Sequence, residues 1–441
     1  MAQAKAFAQR QVLMTTTVRE PESLEMTDYF FLFGLFLLLW WAIDPFMVQL
    51  DAIPGVKRFP SLILGMNLAF IMVGRALFSN HRRTISFASI VKDNRWLMLF
   101  SAFVVLGSLY AKFKNGIDET FLTMGLYVWV VPIVHWYTVN SRAPWKLLRA
   151  ILGMYVLVAF IALCIQFYFF RKFEIFHNRE HLVIPVIGVV LYYLPGRWSK
   201  LLAVLVVALA TVAVSKITAF IVAVISLTYL LGLSLYRRLD RQKDTLARFV
   251  SISGFVLAVG FVIACCVVAY YTLDVRMPSG NTVYRLHTYE IAWDKFVNSP
   301  IWGQAFTKSA VVKFDLYVVH SATQNLPTHS DPLDILAGGG LLAFGLWVTG
   351  LFTKIKVALL DVGVTVRPTD WRDELVHQAF LMAALTATIV CAFNPIYNIP
   401  NLASANWLAF GCMLTSTALA KRQMSSGSTP PMQAHAKAAK G

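Results

Sequence analysis

The chain alternates long apolar runs with short polar segments. A membrane-spanning helix needs about 20 mostly apolar residues, so each run that approaches this length predicts a span. About twelve runs do so, at 29–47, 60–79, 96–111, 119–137, 150–170, 182–195, 201–215, 217–236, 249–271, 333–353, 375–393 and 403–420. The runs at 182–195 and 201–215 are short, which favours partial burial within protein. The pattern predicts an all-α polytopic membrane protein with about 12 transmembrane helices.

Composition supports this class. Of the 441 residues, 58% are hydrophobic and 14% are charged, whereas soluble domains average roughly 25% charged residues. A water-soluble fold of this length could not cover its surface with so few polar side chains. The five cysteines all lie in apolar runs without metal-ligand spacing, so we interpret them as small core residues.

The net charge of +16 reflects membrane topology. With the N-terminus in the cytoplasm, the alternation of spans places about two thirds of the 39 Lys and Arg residues in cytoplasmic segments, as the positive-inside rule requires. Both termini are then cytoplasmic, and nucleic acid is not expected as a partner. The resulting organisation is a cytoplasmic segment at 1–28, a transmembrane domain at 29–420 and a disordered cytoplasmic tail at 421–441.

One non-cytoplasmic loop, about 272–331, is much longer than the others and joins predicted helices 9 and 10. Loops of this length are commonly functional. Within it, one helical face collects apolar residues, which predicts an amphipathic helix at the outer membrane surface. These residues are Leu286, Tyr289, Trp293, Phe296 and Val297.

Three cations on the outer side are unusual for their surroundings. Arg179 directly precedes a span, Lys216 lies in the tightest outer turn, and Arg285 begins the amphipathic segment. Each alone fits an interfacial anchor or an ion pair with Glu180 or Glu290. Because all three are predicted on one side at a similar depth, they favour a shared anion site.

His329 is predicted on the same side, just before a helix entry. Asp331 is a favourable N-cap and Pro332 a favourable first helical residue, so His329 would lie at the positive end of that helix dipole. It is either an ordinary loop residue or, beside these cations, an acid–base group next to a bound phosphate. We expect Gly338–Gly340, inside the span, to permit close helix packing. No outer carboxylate pair suits a metal, so we expect chemistry without metal or other cofactor.

Two segments resemble the O-antigen ligase and polymerase superfamily of bacterial envelope glycosyltransferases. RLHTYEIAWDKFVNSPIWGQAF is similar to the family's pattern of Arg, aromatic and Pro-x-x-Gly, and THSDPLDILAGGGLLAFG is similar to its His-Asn-x-x-Leu helix entry. The matching residues are Arg285, Trp293, Pro300, Gly303, His329 and Leu333. Three positions depart from the family pattern: Ser330 replaces Asn, Ala305 replaces a second Gly, and Lys216 stands where members have Ser-Arg.

The resemblance implies transfer of a glycan from undecaprenyl diphosphate to a sugar hydroxyl at the periplasmic face of the bacterial inner membrane. Arg179, Lys216 and Arg285 would bind the diphosphate and His329 would act as general base, with Trp293 and Asp331 in support. The acceptor is lipid A–core for a ligase and a further glycan for a polymerase, and the sequence leaves both open. A transporter of lipid-linked glycans or anions is the alternative from another class, although such proteins commonly contain internal repeats and none is evident here.

Overall fold

A computed structural model describes residues 23–46, 85–114, 119–171, 179–196, 198–214, 217–240, 280–307, 309–310, 328, 330–359, 370–397 and 399–427. All regular elements in these ranges are helices. They are α1 Met26–Ile43, α2 Phe87–Asp93, α3 Arg95–Lys114, α4 Glu119–Leu126, α5 Val130–Val139, α6 Pro144–Ile165, α7 Glu180–Tyr193, α8 Ser199–Val214, α9 Ile217–Asp240, α10 Gly280–Val297, α11 Asp331–Lys356, α12 Trp371–Val390 and α13 Pro400–Gly427. A 3₁₀ turn, Tyr127–Trp129, joins α4 to α5, and a π-helical turn, Gln166–Phe170, extends α6.

Ten of the predicted runs coincide with these helices, and the runs at 60–79 and 249–271 lie outside the described residues. Five helical stretches in the described ranges are long and apolar enough to cross a membrane; α2 and α3, bent by 88°, give a sixth if they form one span. The five are Met26–Ile43, Phe121–Val139, Pro144–Phe170, Asp331–Leu359 and Asn401–Gln423. The all-helical membrane class is therefore confirmed, while the number of twelve spans stays a prediction.

Helix α13 forms the centre of the bundle. Its spanning part is 94% buried, and it packs against α1, α5 and α12. Helix α7 packs against α8, α9 and α12, whereas α10 packs on α11, which in turn packs on α3. Of the cysteines, Cys391 and Cys412 are buried as predicted, but Cys164 is exposed.

Helix α11 is broken at Gly340, whose backbone has φ 63° and ψ −163°. The segment 300–306 enters the break. The backbone N–H groups of Gln304 and Phe306 donate to the carbonyls of Ala337 and Gly338, both at 2.9 Å. On the other side of the break, the N–H of Leu341 donates to the carbonyl of Pro300 at 2.8 Å. The inserted segment thereby satisfies backbone groups that a broken helix would leave exposed in an apolar environment.

The glycines make this insertion possible. A Cβ atom at Gly303 would lie 2.6 Å from the backbone of Gly338 and Gly339, and a Cβ at Gly340 would lie 2.4 Å from the carbonyl oxygen of Ile301. The triple glycine thus permits close packing, but the predicted helix partner is wrong, because the nearest neighbour outside α11 is the inserted segment with its backbone and the Phe306 ring. The insertion fixes α10 relative to α11 just after α10 ends.

Candidate active site

Arg285 lies on α10 where that helix meets the residues before α11. Its Nη1 atom donates to the carbonyl of Phe393 at 3.5 Å. One turn further, the buried hydroxyl of Thr288 lies 2.9 Å from the carbonyl oxygen of Arg285 and 3.5 Å from that of Thr328. The α10 helix therefore contacts two segments that are distant in sequence, the one between α12 and α13 through Arg285 and the one before α11 through Thr288.

The residues on both sides of His329 form a compact buried turn. The hydroxyl of Thr328 donates to the carbonyl of Ser330 at 2.9 Å and accepts the Ser330 N–H at 3.1 Å. Thr328 is fully buried and Ser330 nearly so. His329 itself lies outside the described residues. Of its two neighbours, Thr328 lies beside the Arg285 turn of α10, where its carbonyl is 3.5 Å from the Thr288 hydroxyl.

Asp331 binds the loop between α12 and α13. Its N–H donates to the carbonyl of Cys391 at 2.9 Å, and its Oδ2 atom accepts the N–H groups of Ile396 and Tyr397 at 2.8 and 2.9 Å. The prediction that Asp331 is the N-cap is wrong. Helix α11 does begin there, with Pro332 in its first turn, but Ser330 is the N-cap and makes no side-chain capping bond. The carboxylate instead satisfies two buried amides across the bundle.

Residues 391–397, here called the α12–α13 loop, connect these groups. The loop accepts a hydrogen bond from Arg285 at Phe393 and is bound by Asp331 at Cys391, Ile396 and Tyr397. Burial raises the pKa of the Tyr397 hydroxyl well above its usual value. The loop carries no charged side chain, and it contacts both Arg285 and Asp331.

Arg179 is the N-cap residue of α7. Its Nε atom donates to the carbonyl of Ala42 at 3.3 Å, and its Nη2 atom lies 3.7 Å from the carboxylate of Asp44. Helix α1 ends here, so a cation is also favoured by the negative end of that helix dipole. Asp44 is therefore an ion-pair partner of Arg179, one that the sequence did not suggest.

Two buried polar residues follow Arg179, and the sequence did not identify either of them as a site residue. Glu180 and His181 are both fully buried. The His181 Nε2 atom lies 3.5 Å from the amide nitrogen of Asn406 on α13. The adjacent Trp407 packs its ring on Tyr397, with centroids 4.7 Å apart. This contact links the Arg179 region to the α12–α13 loop. A Glu-His pair at a helix start was the available signal, but helix-start acids are common for dipole reasons alone.

Contacts at the helix ends show which predicted residues share a side. At one end of the bundle, called the Arg142 end, Arg142 pairs with Glu25 before α1, and Arg149 near the start of α6 pairs with Asp373 near the start of α12 at 2.9 Å. Helices α1, α6 and α12 all run away from this end. Their opposite ends form the Arg179 end, which includes Asp44 and the α12–α13 loop. Arg179, Arg285 and Asp331 therefore lie at one end of the bundle.

Lys216 lies outside the described residues, between α8 and α9. The C-terminal parts of α7 and α9 meet where the Tyr192 hydroxyl lies 2.7 Å from the Ser234 hydroxyl. Because α7 starts at the Arg179 end and its C-terminal part contacts Ser234 near the end of α9, helix α9 begins at the Arg179 end.

Trp293 occupies a different position from the other predicted residues. It is 51% exposed, and its ring contacts Phe296 of the same helix with centroids 5.2 Å apart. Leu286 and Val297 are exposed as well, whereas Thr288 and Ala292 are buried. The predicted helix is present, and three of its five predicted apolar residues are exposed, whereas Tyr289 and Phe296 are partly buried. Its position at the membrane surface stays a prediction.

The described part of the site offers guanidinium groups and backbone amides. Within the described ranges no three His, Cys, Asp or Glu side chains converge in a way that could hold a metal ion. Guanidinium groups suit phosphate oxygens because they are permanently charged and present a planar fork of donors.

Comparison with known proteins gives one family match. Residues 150–348 match the family described as O-Antigen ligase, which confirms the resemblance seen in the motifs. The matched region contains Arg179, Lys216, Arg285 and His329. No curated protein matches the sequence significantly.

Proposed function

We propose, from the O-antigen ligase domain at residues 150–348, that this membrane enzyme transfers a glycan from undecaprenyl diphosphate to a sugar hydroxyl, most specifically O-antigen to lipid A–core. The observation that carries the proposal is the joint binding of one loop by Arg285 and by Asp331, two residues after position 329. These contacts support the proposal because they connect the cation that we propose to bind phosphate with the start of α11, which follows the proposed acid–base residue.

In the proposed reaction, the acceptor hydroxyl attacks the anomeric carbon of the donor sugar. The bond from that carbon to the diphosphate oxygen breaks, and a new glycosidic bond forms. His329 takes the proton of the attacking hydroxyl. The diphosphate leaves on its lipid carrier, and Arg285, Arg179 and Lys216 neutralise the negative charge that develops on the leaving oxygen.

The Arg179 end is the periplasmic end in this proposal, and the protein is a multi-pass protein of the bacterial inner membrane. The Arg142 end carries Arg142 and Arg149 near helix starts. That distribution is typical of a cytoplasmic surface, and both termini would be on that side.

We further propose that the transfer needs no metal ion, because the cations replace the divalent ion that commonly neutralises a diphosphate. Purified enzyme should keep its activity in excess EDTA. If activity were lost in EDTA and restored by magnesium or manganese, the cationic side chains would have a different role.

The lipopolysaccharide of a deletion strain tests the ligase assignment. Uncapped lipid A–core with accumulated lipid-linked polymer is the expected result. Core capped with a single repeat unit would instead indicate the polymerase. Uncapped core together with lipid-linked glycan retained on the cytoplasmic side of the membrane would indicate a transporter.

A further inference from the structure

Helix α6 extends well beyond the depth of Arg179. Helices α1 and α6 begin at the same level, because Arg142 pairs with Glu25 and the Ser141 hydroxyl donates to Asp28. At 1.5 Å per residue, α1 rises about 28 Å from this level to Asp44, whereas α6 and its π-helical turn rise about 42 Å to Phe170. The end of α6 therefore stands roughly 14 Å beyond the Arg179–Asp44 pair.

A second contact gives a similar distance between the level of Arg179 and the end of α6. The Tyr155 hydroxyl on α6 donates to the carbonyl of Leu182 on α7 at 3.0 Å. From that contact, Arg179 is only about 4.5 Å further out, but Phe170 is about 22 Å further out. The end of α6 thus extends further outward than the Arg179–Asp44 ion pair beside it.

The last turn of α6 is aromatic and exposed. Phe167, Tyr168, Phe169 and Phe170 are 51, 69, 67 and 41% exposed. Consecutive helical residues point in different directions, so exposure at four successive positions means that this turn has left the helix packing. Below it, buried Gln166 marks the last packed level.

The rings of this turn lie beside one another and beside a cation. Its π-helical winding is wider than an α-helix and is typical of functional sites. The Tyr168 and Phe169 rings meet edge to face at 4.9 Å. The guanidinium of Arg171, which ends the helix, lies 5.6 Å from the Phe167 ring centroid. The rings of Tyr168, Phe169 and Phe170 are therefore accessible beside the guanidinium of Arg171.

We propose that Phe167–Arg171, here called the aromatic turn, binds the sugar rings of the lipid-linked donor. This inference rests on the proposed function, in which the diphosphate lies at the depth of Arg179. Sugars attached to that diphosphate extend outward along helix α6 and reach the aromatic turn. The electropositive C–H face of a pyranose complements the negative face of an aromatic ring, and Arg171 can donate to sugar hydroxyl or carboxylate oxygens.

Leucine variants separate sugar binding from membrane anchoring. Phe169→Leu and Tyr168→Leu keep an apolar side chain for lipid but remove the aromatic face, and Phe169→Trp keeps that face. Phe160→Leu is the matched control, since Phe160 is also exposed on α6 (62%) but more than one turn below the aromatic turn.

The test measures binding of two probes, undecaprenyl diphosphate alone and undecaprenyl diphosphate carrying the glycan, to full-length protein in lipid nanodiscs. Both leucine variants should bind the glycosylated lipid about tenfold more weakly and the bare lipid normally, while Phe160→Leu and Phe169→Trp should match the unmodified protein. Normal binding of both lipids by the leucine variants, or equal weakening of both, would overturn the inference. If the unmodified protein bound neither lipid, the proposed function itself would fail.

Discussion

The carboxylate of Asp331 accepts the backbone N–H of Tyr397 at 2.9 Å, a contact between the start of α11 and the loop before α13. The same oxygen accepts the N–H of Ile396. Arg285 donates to Phe393 of this loop. Asp331 therefore helps to set the distance between Arg285 and the start of α11.

Asp331→Ala should destabilise the protein by about 3 kcal/mol, because two buried amides would lose a charged acceptor. Asp331→Asn keeps an acceptor oxygen and should recover most of that loss. Thermal unfolding of the detergent-solubilised variants, followed by tryptophan fluorescence, measures the difference. Equal stability of Asp331→Ala and the unmodified protein would show that this contact does not hold the loop.

Gly303→Ala should cost about 3 kcal/mol or more, because φ at this position is +59° and the added Cβ would meet backbone that cannot move away. Gly345→Ala, in α11 with no atom within 4 Å of its Cβ position, is the control. A helical Gly→Ala change without strain should be neutral or stabilising by up to about 1 kcal/mol. Thermal unfolding that ranks the two variants in the opposite order would contradict the inserted-segment geometry.

The helices were predictable from the sequence because a run of apolar residues has few alternatives in a bilayer. The start of α11 was also predictable, since Asp331-Pro332 is a strong helix-entry signal. The role of Asp331 was not. A carboxylate at a helix start suits the local cap equally well, and only the fold brings the amide of Tyr397 to it.

The partners of the glycines and of Arg179 also depend on the fold and could not be predicted from the sequence. Sequence indicates that Gly338–Gly340 allow close packing, but the inserted partner at Gly303 depends on how α10 is placed. Arg179 pairs with Asp44, which is distant in sequence. The neighbouring Glu180 was the obvious candidate only because it is adjacent in the chain.

Arg285→Ala and Arg179→Ala should each reduce glycan transfer by one to two decades, since a charge-assisted contact contributes roughly 1.5–3 kcal/mol. Binding of undecaprenyl diphosphate should weaken in parallel, because the charge is present in the ground state as well. Arg372→Ala, an exposed cation at the Arg142 end, should leave both quantities unchanged. Normal binding and transfer by both site variants would mean that these arginines only anchor the protein at the membrane interface.

Single cysteines in a cysteine-free background test the orientation. A cysteine at Trp293, exposed on α10, should react with an impermeant maleimide in intact spheroplasts. A cysteine at Arg372 should react only after permeabilisation. The reverse pattern would place the proposed site in the cytoplasm, and the periplasmic reaction would be excluded.

The central claim is tested most directly by reconstituted transfer with the purified protein and its His329→Ala variant. Proteoliposomes receive glycan-bearing undecaprenyl diphosphate and lipid A–core, and mass spectrometry follows the glycosylated product. A positioned base contributes roughly 10²–10⁴ in rate, so His329→Ala should lose transfer by at least two decades while still binding the donor lipid. His329→Arg should not restore transfer, and His287→Ala, which removes a half-exposed side chain of α10, should retain it. Near-normal turnover by His329→Ala at saturating acceptor would contradict the account.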